Sequence, residues 1–367
     1  MSWRQYIAFL KAWDRRTLLC IVLLILLSLA TIYSIGLHAE VPTIAKFKTQ
    51  LIALGIGIVC VLIASRLDYR MWYHLSWVIL LLGVLILILV LLFGTTIHGT
   101  TGWIDLKWFI FQPVEIAKIM FILNLAAWIT KYGNDTPFKA LLGSGLITLL
   151  YTALVLLQPD FGSAALFVIV WTLAFLFIRI EFKARLIIIL LLCIIPFITW
   201  FFLEDYQQNR IILLLNPQKD ALGKGYNVIQ SMISVGSGKL LGRGLGLGPQ
   251  SQLKFLPEKE TDFIFAVIAE ELGFVGASVV LSGFLLLFFS LFRYIVKLKD
   301  TFGRWILLLS VLLLGVQMFI NVGMNIGIMP ITGIPLPFIS AGGSSLVANL
   351  LLIGLIQSII IRHKKQV

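Results

Sequence analysis

LPEKETDFIFAVIAEELGFVG, residues 256–276, sets Glu258, Glu260, Asp262, Glu270 and Glu271 ahead of an uncharged run that reaches residue 292. The run 274–292 crosses a bilayer unaided at about 1.5 Å per residue, so the acids before it need not enter the hydrocarbon. They are expected to line the mouth of that span. An ionisable group held at a poorly solvated edge is a functional candidate, because an apolar residue would sit there without penalty.

The rest of the chain agrees with a membrane setting. Of its 367 residues 60% are hydrophobic and 13% charged, and the mean hydropathy is +1.02, too apolar for a soluble globular domain of this size. Apolar runs of about 20 residues exclude a barrel, whose strands alternate over about 10, so helices must satisfy the backbone. The formal charge of +12 comes from short basic clusters between apolar runs, which fits membrane topology and not a nucleic-acid-binding face. Cys20, Cys60 and Cys193 all fall within predicted spans, so no disulfide framework is indicated. His38, His74, His98 and His363 lack ligand spacing.

Apolar runs of spanning length lie at about 17–37, 50–65, 73–93, 113–129, 140–157, 161–178, 186–203, 274–292, 305–325 and 345–361. The expected fold is an all-α polytopic membrane protein with ten transmembrane helices and one long extracellular loop, about 204–261, between the seventh and eighth. Residues 1–367 read as a single membrane domain, with no convincing repeat. The start, MSWRQYIAFLKAWDRR, runs into the first span without a small-residue cleavage pattern, so an uncleaved anchor is expected. Trp3, Phe9, Leu10 and Trp13 among four bases suggest an interfacial lead-in helix. With ten spans, 18 of the 29 Lys and Arg residues fall on the side of the termini, while the short loops opposite hold Lys46, Lys48 and Lys107. The positive-inside rule then places both termini in the cytoplasm. Apolar helical stretches such as GYNVIQSMISV (225–235) suggest that the long loop folds down onto the membrane surface.

Several residues carry candidate chemistry. Asp262 has two readings: an N-cap before an apolar run, or a proton acceptor looking out beside Ala266 and Ala269, which share its helical face. Glu270 and Glu271 suit a helix N-terminus and point about 100° apart, which argues against a shared site. Glu115 and Lys118, three apart at the start of the fourth span, are spaced for a same-face ion pair. Asp160, in QPDFG, reads as a cap for the sixth span. GSGKLLGRGLGLG (236–248) offers bare N–H groups with Lys239 and Arg243 one helical turn apart, suited to phosphate, although a plain flexible loop has the same composition. MPITGIPLPFISAGGSS (329–345) combines prolines with Ser340, Ser344 and Ser345 at a helix start, an anion site in outline. Asn321 and Asn325, four apart, put amides on the ninth span, where interhelical hydrogen bonding is the plain reading.

Taken in order, GWIDLKWFIFQPVEIAKI, QPDFGSA, LPEKETDFIFAVIAEELGFVG and GIPLPFISAGGSS resemble the SEDS family (shape, elongation, division and sporulation proteins) over essentially the whole chain. The short N-terminal segment resembles the family's elongation members more than its division members. The resemblance implies a bacterial cytoplasmic-membrane glycosyltransferase that polymerises lipid II into β-1,4 glycan strands outside the membrane, with a class B penicillin-binding protein transpeptidase as partner. It puts the essential carboxylate on Asp262 and the ion pair on Glu115 and Lys118. Glu260 stands where family members often have His, adding negative charge beside the site.

The implied chemistry is inverting, an α-linked donor giving a β bond, which needs one base to take the proton of the acceptor's 4-hydroxyl. Partial burial and the neighbouring Glu258 and Glu260 are expected to improve Asp262 as a base. Lys118, Lys239, Arg243 and Lys48 are the candidate contacts for the departing pyrophosphate, and a divalent cation (Mg or Mn) is compatible with that load although no motif specifies one. Two rival functions remain at this stage: a lipid II flippase, for which broken spans and buried charges would also be expected, and a non-catalytic scaffold of the elongation machinery.

Overall fold

Apolar runs become helices because the bilayer interior offers the backbone no other partner. The computed structural model describes residues 12–37, 44–97, 99–105, 110–133, 135–178, 224–253 and 255–366, together with 185–186, 190, 208 and 212. Its long helices are α1 (Arg15–Leu37), α2 (Ala45–Arg66), α3 (Ser76–Phe93), α4 (Pro113–Tyr132), α5 (Pro137–Leu156), α6 (Phe161–Phe175), α7 (Lys224–Ser237), α8 (Ile264–Lys297), α9 (Thr301–Asn325) and α10 (Gly343–Gln366). Eight of these are long and apolar enough to cross a membrane, and α6 is a shorter apolar helix. The run 186–203 and most of the lead-in segment lie outside the described residues; Trp13, near the end of that segment, is buried against the core.

One end of the bundle gathers the starts of α2, α4, α6, α8 and α10; the other holds the start of α1 and the end of α10. Helices α4, α9 and α10 form the interior, while α2, α3 and α5 turn leucine and isoleucine outward. Lipid tails are as apolar as these side chains, so association relies on close packing of small residues. Helix α10 crosses α2 on that principle: a Cβ on Gly57 would stand 2.2 Å from Leu350 Cδ1, and one on Gly354 would stand 2.8 Å from Ala64 Cβ.

Polar staples hold the end that carries the termini. Asp14 accepts hydrogen bonds from the Thr17 N–H (3.1 Å), Ser290 Oγ (2.7 Å) and Tyr294 Oη (3.1 Å), tying the start of α1 to α8. Asp300 caps α9 through the Gly303 N–H (2.8 Å) and accepts from the Tyr69 hydroxyl (2.9 Å). Burial, with that carboxylate, pushes the Tyr69 phenol up to about 12. Arg362 donates to the carbonyls of Ser65 and Arg66, which end α2 without helical partners.

Two features depart from the all-α reading. Between α3 and α4 lies a three-stranded antiparallel sheet, β1 (Thr95–Ile97), β2 (Thr100–Asp105) and β3 (Ile110–Phe111), with Thr95 opposite Trp103 and Ile104 opposite Phe111. Its threonines, isoleucines and aromatics are strand formers, and Gly99 supplies the left-handed turn at φ +81°. Helix α8, in turn, starts at Ile264, ten residues before the predicted span, and breaks at Gly273 (φ 66°, ψ −162°).

Candidate active site

The turn that precedes α8 is built on Glu258. Its carbonyl accepts from the N–H groups of Thr261 (3.2 Å) and Asp262 (3.1 Å), with Glu258 itself in the left-handed region at φ +48°. Leu256 and Phe263 are buried with Ile35, Ala266 and Val267 in a small cluster of their own, which anchors both ends of the turn.

Three successive carbonyls of this turn are then gripped from outside. The Ala341 N–H donates to Glu260 O (2.8 Å), Ser340 Oγ donates to Thr261 O (2.6 Å), and the amides of Asn321 and Asn325 both donate to Asp262 O (3.1 and 3.0 Å). The gripping segment 336–342 is fixed in its turn. Ser28 Oγ donates to Ile339 O (2.6 Å), and Gln50 bridges Ser340 O and the Gly342 N–H (3.3 and 3.1 Å). Five described elements, α1, α2, α9, the 329–342 segment and the turn itself, therefore set the place of Asp262.

Asp262 is partly buried, and its Oδ2 stands 3.9 Å from where a Cβ on Gly333 would be. Gly333 is left-handed (φ +73°), and the carbonyl of the adjacent Thr332 presses on Gly162, where a Cβ would stand 2.5 Å away. Asp160 caps α6 by accepting from the Ser163 N–H (3.0 Å), as its sequence context indicated. The caps of α6 and the turn before α8 thus flank the same 332–334 strand of chain.

Asp262 is not the helix cap. That position falls on Phe263, and Ala266 and Ala269 are buried, so the open slot expected beside Asp262 on a helical face does not exist. Glu260 forms an ion pair with Lys46 at the start of α2, so the negative charge expected beside the site is offset. Lys48 lies exposed two residues on, and the exposed Glu258 accepts from Thr261 Oγ1 through its carboxylate (3.0 Å).

Glu115 and Lys118 form the expected pair at 2.7 Å, both about 3% exposed, in the first turn and a half of α4. Pro113 opens that helix, which needs no N–H there. The hydroxyl of Ser344 accepts from the Gln112 N–H and donates to Ile110 O, each at 3.1 Å. It therefore stitches α4 to α10. Ser340 and Ser344 both spend their hydroxyls inside the protein, which replaces the anion site their helix-start position suggested.

The glycine-rich segment also has a different employment. At the Gly273 break, α8 loses its own bonds and the loop supplies substitutes. The N–H groups of Arg243 and Gly244 donate to Glu270 O and Glu271 O (both 2.9 Å), while those of Phe274 and Val275 donate to Lys239 O (2.8 Å) and Leu240 O (3.1 Å). Glu270 accepts from the Gln250 and Ser251 N–H groups (2.8 and 3.0 Å), and Glu271 from Gln252 Nε2 and Ser34 Oγ (both 3.0 Å). The two adjacent acids do serve one unit, contrary to their 100° separation, because the loop wraps around the helix. Lys239 sits in a left-handed turn (φ +49°), so Lys239 and Arg243 are not on one helical turn; both side chains are exposed at the break, on the order of 15 Å along α8 from Asp262.

Lys46 and Gln50 carry no motif that marks them as part of the site, and Asn321 and Asn325 read as interhelical glue. The signal in the three amides is that polar groups near the ends of apolar helices need partners: for the asparagines the partner is the turn, for Gln50 the 340–342 segment. Among the described residues no three His, Cys, Asp or Glu side chains group as a metal site.

Comparisons with known proteins place this architecture. The family model described as a cell cycle protein of the FtsW, RodA and SpoVE type matches residues 14–366. The peptidoglycan glycosyltransferase MrdB of Escherichia coli (strain K12) is 37% identical over 354 residues, covering 95% of this chain and 94% of that protein. A chain solved in a peptidoglycan synthase complex that coordinates polymerization and crosslinking superposes with a TM-score of 0.80 at 30% identity, covering 96% of this chain and 98% of that one. The rod shape determining protein RodA of Thermus thermophilus gives 0.71 at 26%, with 96% and 97% covered. A family match over almost the entire length, joined to a shared fold, means that this chain belongs to the SEDS family of FtsW, RodA and SpoVE proteins.

Proposed function

We propose that Asp262 is the general base of a peptidoglycan glycosyltransferase that extends glycan strands from lipid II. The activity itself is the one its relatives carry by name. The observation that supports the assignment to Asp262 is the grip on residues 260–262, three consecutive carbonyls held by α9 and the 336–342 segment. Carbonyls of any buried turn need partners, but here three in a row are bonded from two other elements, which fixes Asp262 as a base near its target proton must be fixed.

In the reaction, the Asp262 carboxylate takes the proton of the acceptor's 4-hydroxyl as that oxygen bonds to C1 of the donor sugar. The bond from C1 to the diphosphate oxygen breaks, and its electron pair leaves with the polyprenyl diphosphate. One displacement inverts the anomeric centre, so one carboxylate suffices. The leaving group needs positive charge. Lys48, two residues from the Lys46 that pairs with Glu260, is an exposed cation on α2, while Lys118 is already neutralised by Glu115. A divalent ion such as magnesium or manganese has no preformed cluster among the described residues, and no step here runs through one.

The basic clusters favour a cytoplasmic location for both termini in the bacterial inner membrane, which puts Asp262 on the outer face. A class B penicillin-binding transpeptidase is the partner that would crosslink the product; the similar chain from a polymerizing and crosslinking complex supports it. The test is purified protein with its partner and labelled lipid II in detergent. Glycan chains from the parent and none from Asp262→Ala are expected. A parent complex that stays inactive beside active controls would move the protein to lipid II transport or scaffolding.

A further inference from the structure

A helix whose cap is an aspartate closes its first hydrogen bond onto that residue's carbonyl, from the N–H four positions on. For Asp262 that donor is the Ala266 N–H. It goes elsewhere: the Ala266 N–H donates to Asn325 Oδ1 at 3.0 Å, while Asn325 Nδ2 donates to Asp262 O, also at 3.0 Å. One carboxamide thus occupies both halves of the bond. Its orientation is dictated by chemistry, since a flipped amide would set NH2 against the Ala266 N–H. The first helical bond is displaced by one residue, from the Val267 N–H to Phe263 O (3.2 Å).

Asn325 is itself immobilised. It is fully buried in the last turn of α9, its Nδ2 also reaches Asn321 O (2.8 Å), and its carbonyl accepts from Ser231 Oγ on α7 (2.9 Å). We infer that Asn325 is a positioning residue for the reaction: its side chain intercepts the hydrogen bond between the Asp262 carbonyl and the Ala266 N–H and holds the backbone of Asp262 ahead of the helix. The inference rests on Asp262 being the base.

The experiment measures initial rates of glycan polymerisation by the protein with its partner, across lipid II concentration, for Asn325→Ala, Asn325→Asp and Asp262→Ala. For Asn325→Ala, kcat falls about tenfold or more while KM stays within about threefold, because the base is misplaced and the substrate contacts are not. Should Asn325→Ala not fold, the near-isosteric Asn325→Asp keeps the acceptor for Ala266, loses both donors, and carries the same expectation of a kcat loss at steady KM. A folded variant with kcat within about twofold of the parent, or one that raises KM alone, overturns the positioning role. An active Asp262→Ala protein instead removes the base assignment, and the two failures are distinguished by that arm.

Discussion

Replacing Glu115 by alanine strands Lys118 in the interior of α4, where the side chain is 3% exposed and its ammonium lies 2.7 Å from the lost carboxylate. Breaking a buried ion pair from one side costs about 3 to 5 kcal/mol, and the lower end, about two decades in the folding equilibrium, suits a lysine near the start of its helix. Glu115→Ala is therefore expected to lower the thermal midpoint and the yield of monodisperse protein in detergent. The double change Glu115→Leu with Lys118→Met removes both charges and should recover most of that loss, since the desolvation of the pair roughly offsets its attraction. Polymerisation of lipid II by the stable double variant then separates two roles. Restored activity makes the pair a scaffold, and a stable but inactive protein gives Lys118 a substrate contact. A Glu115→Ala protein as stable as the parent, or a double variant no better than the single, would refute the reasoning.

Gly273→Ala adds a Cβ 2.3 Å from Gly242 N and 2.5 Å from Leu240 O at a residue with φ +66°, and backbone atoms cannot yield as a side chain tip can. A loss of at least about 2 kcal/mol is expected, together with faster proteolysis in 236–253, and an unchanged melting curve would contradict the loop's part in the helix break. At the opposite end, burial alone would raise the Asp14 carboxyl, but hydrogen bonds from Thr17, Ser290 and Tyr294 outweigh it and hold it below its ordinary value of 3.8. A depressed carboxyl contributes stability that is complete above its unfolded value and is lost as pH falls through the folded one. Thermal midpoints of the parent should then drop below about pH 4 more steeply than those of Asp14→Asn, which starts lower at neutral pH; superimposable profiles would remove Asp14 as a staple.

Much of this protein is legible along the chain because a bilayer constrains it so severely. Each long apolar run among the described residues had to become a helix, and Glu115 had to find Lys118, since an unpaired charge there is too expensive to keep. Asp160 declared itself a cap by its local context alone. The misreadings share a cause. The composition of 236–248 suggests N–H groups for phosphate, whereas those of Arg243 and Gly244 close the helix break at Gly273 and those of Gly242 and Leu247 bond within the loop. Ser340 and Ser344 looked like an anion site, and were consumed by the turn before α8 and the lead into α4. A hydrogen-bonding group advertises capacity in the sequence, but its partner is chosen by packing.

Composition, hydropathy and ordered motifs determined by themselves that the chain is a bundle of membrane helices and which acid stands at the mouth of the eighth predicted span, because burial of apolar surface and the expense of charge act on each segment separately. That Asp262 stands one residue ahead of the position that opens α8 was decided only in three dimensions. Asn325 lies 63 positions away, and the hydrogen bond it intercepts exists as an alternative only once α9 has been laid against the start of α8.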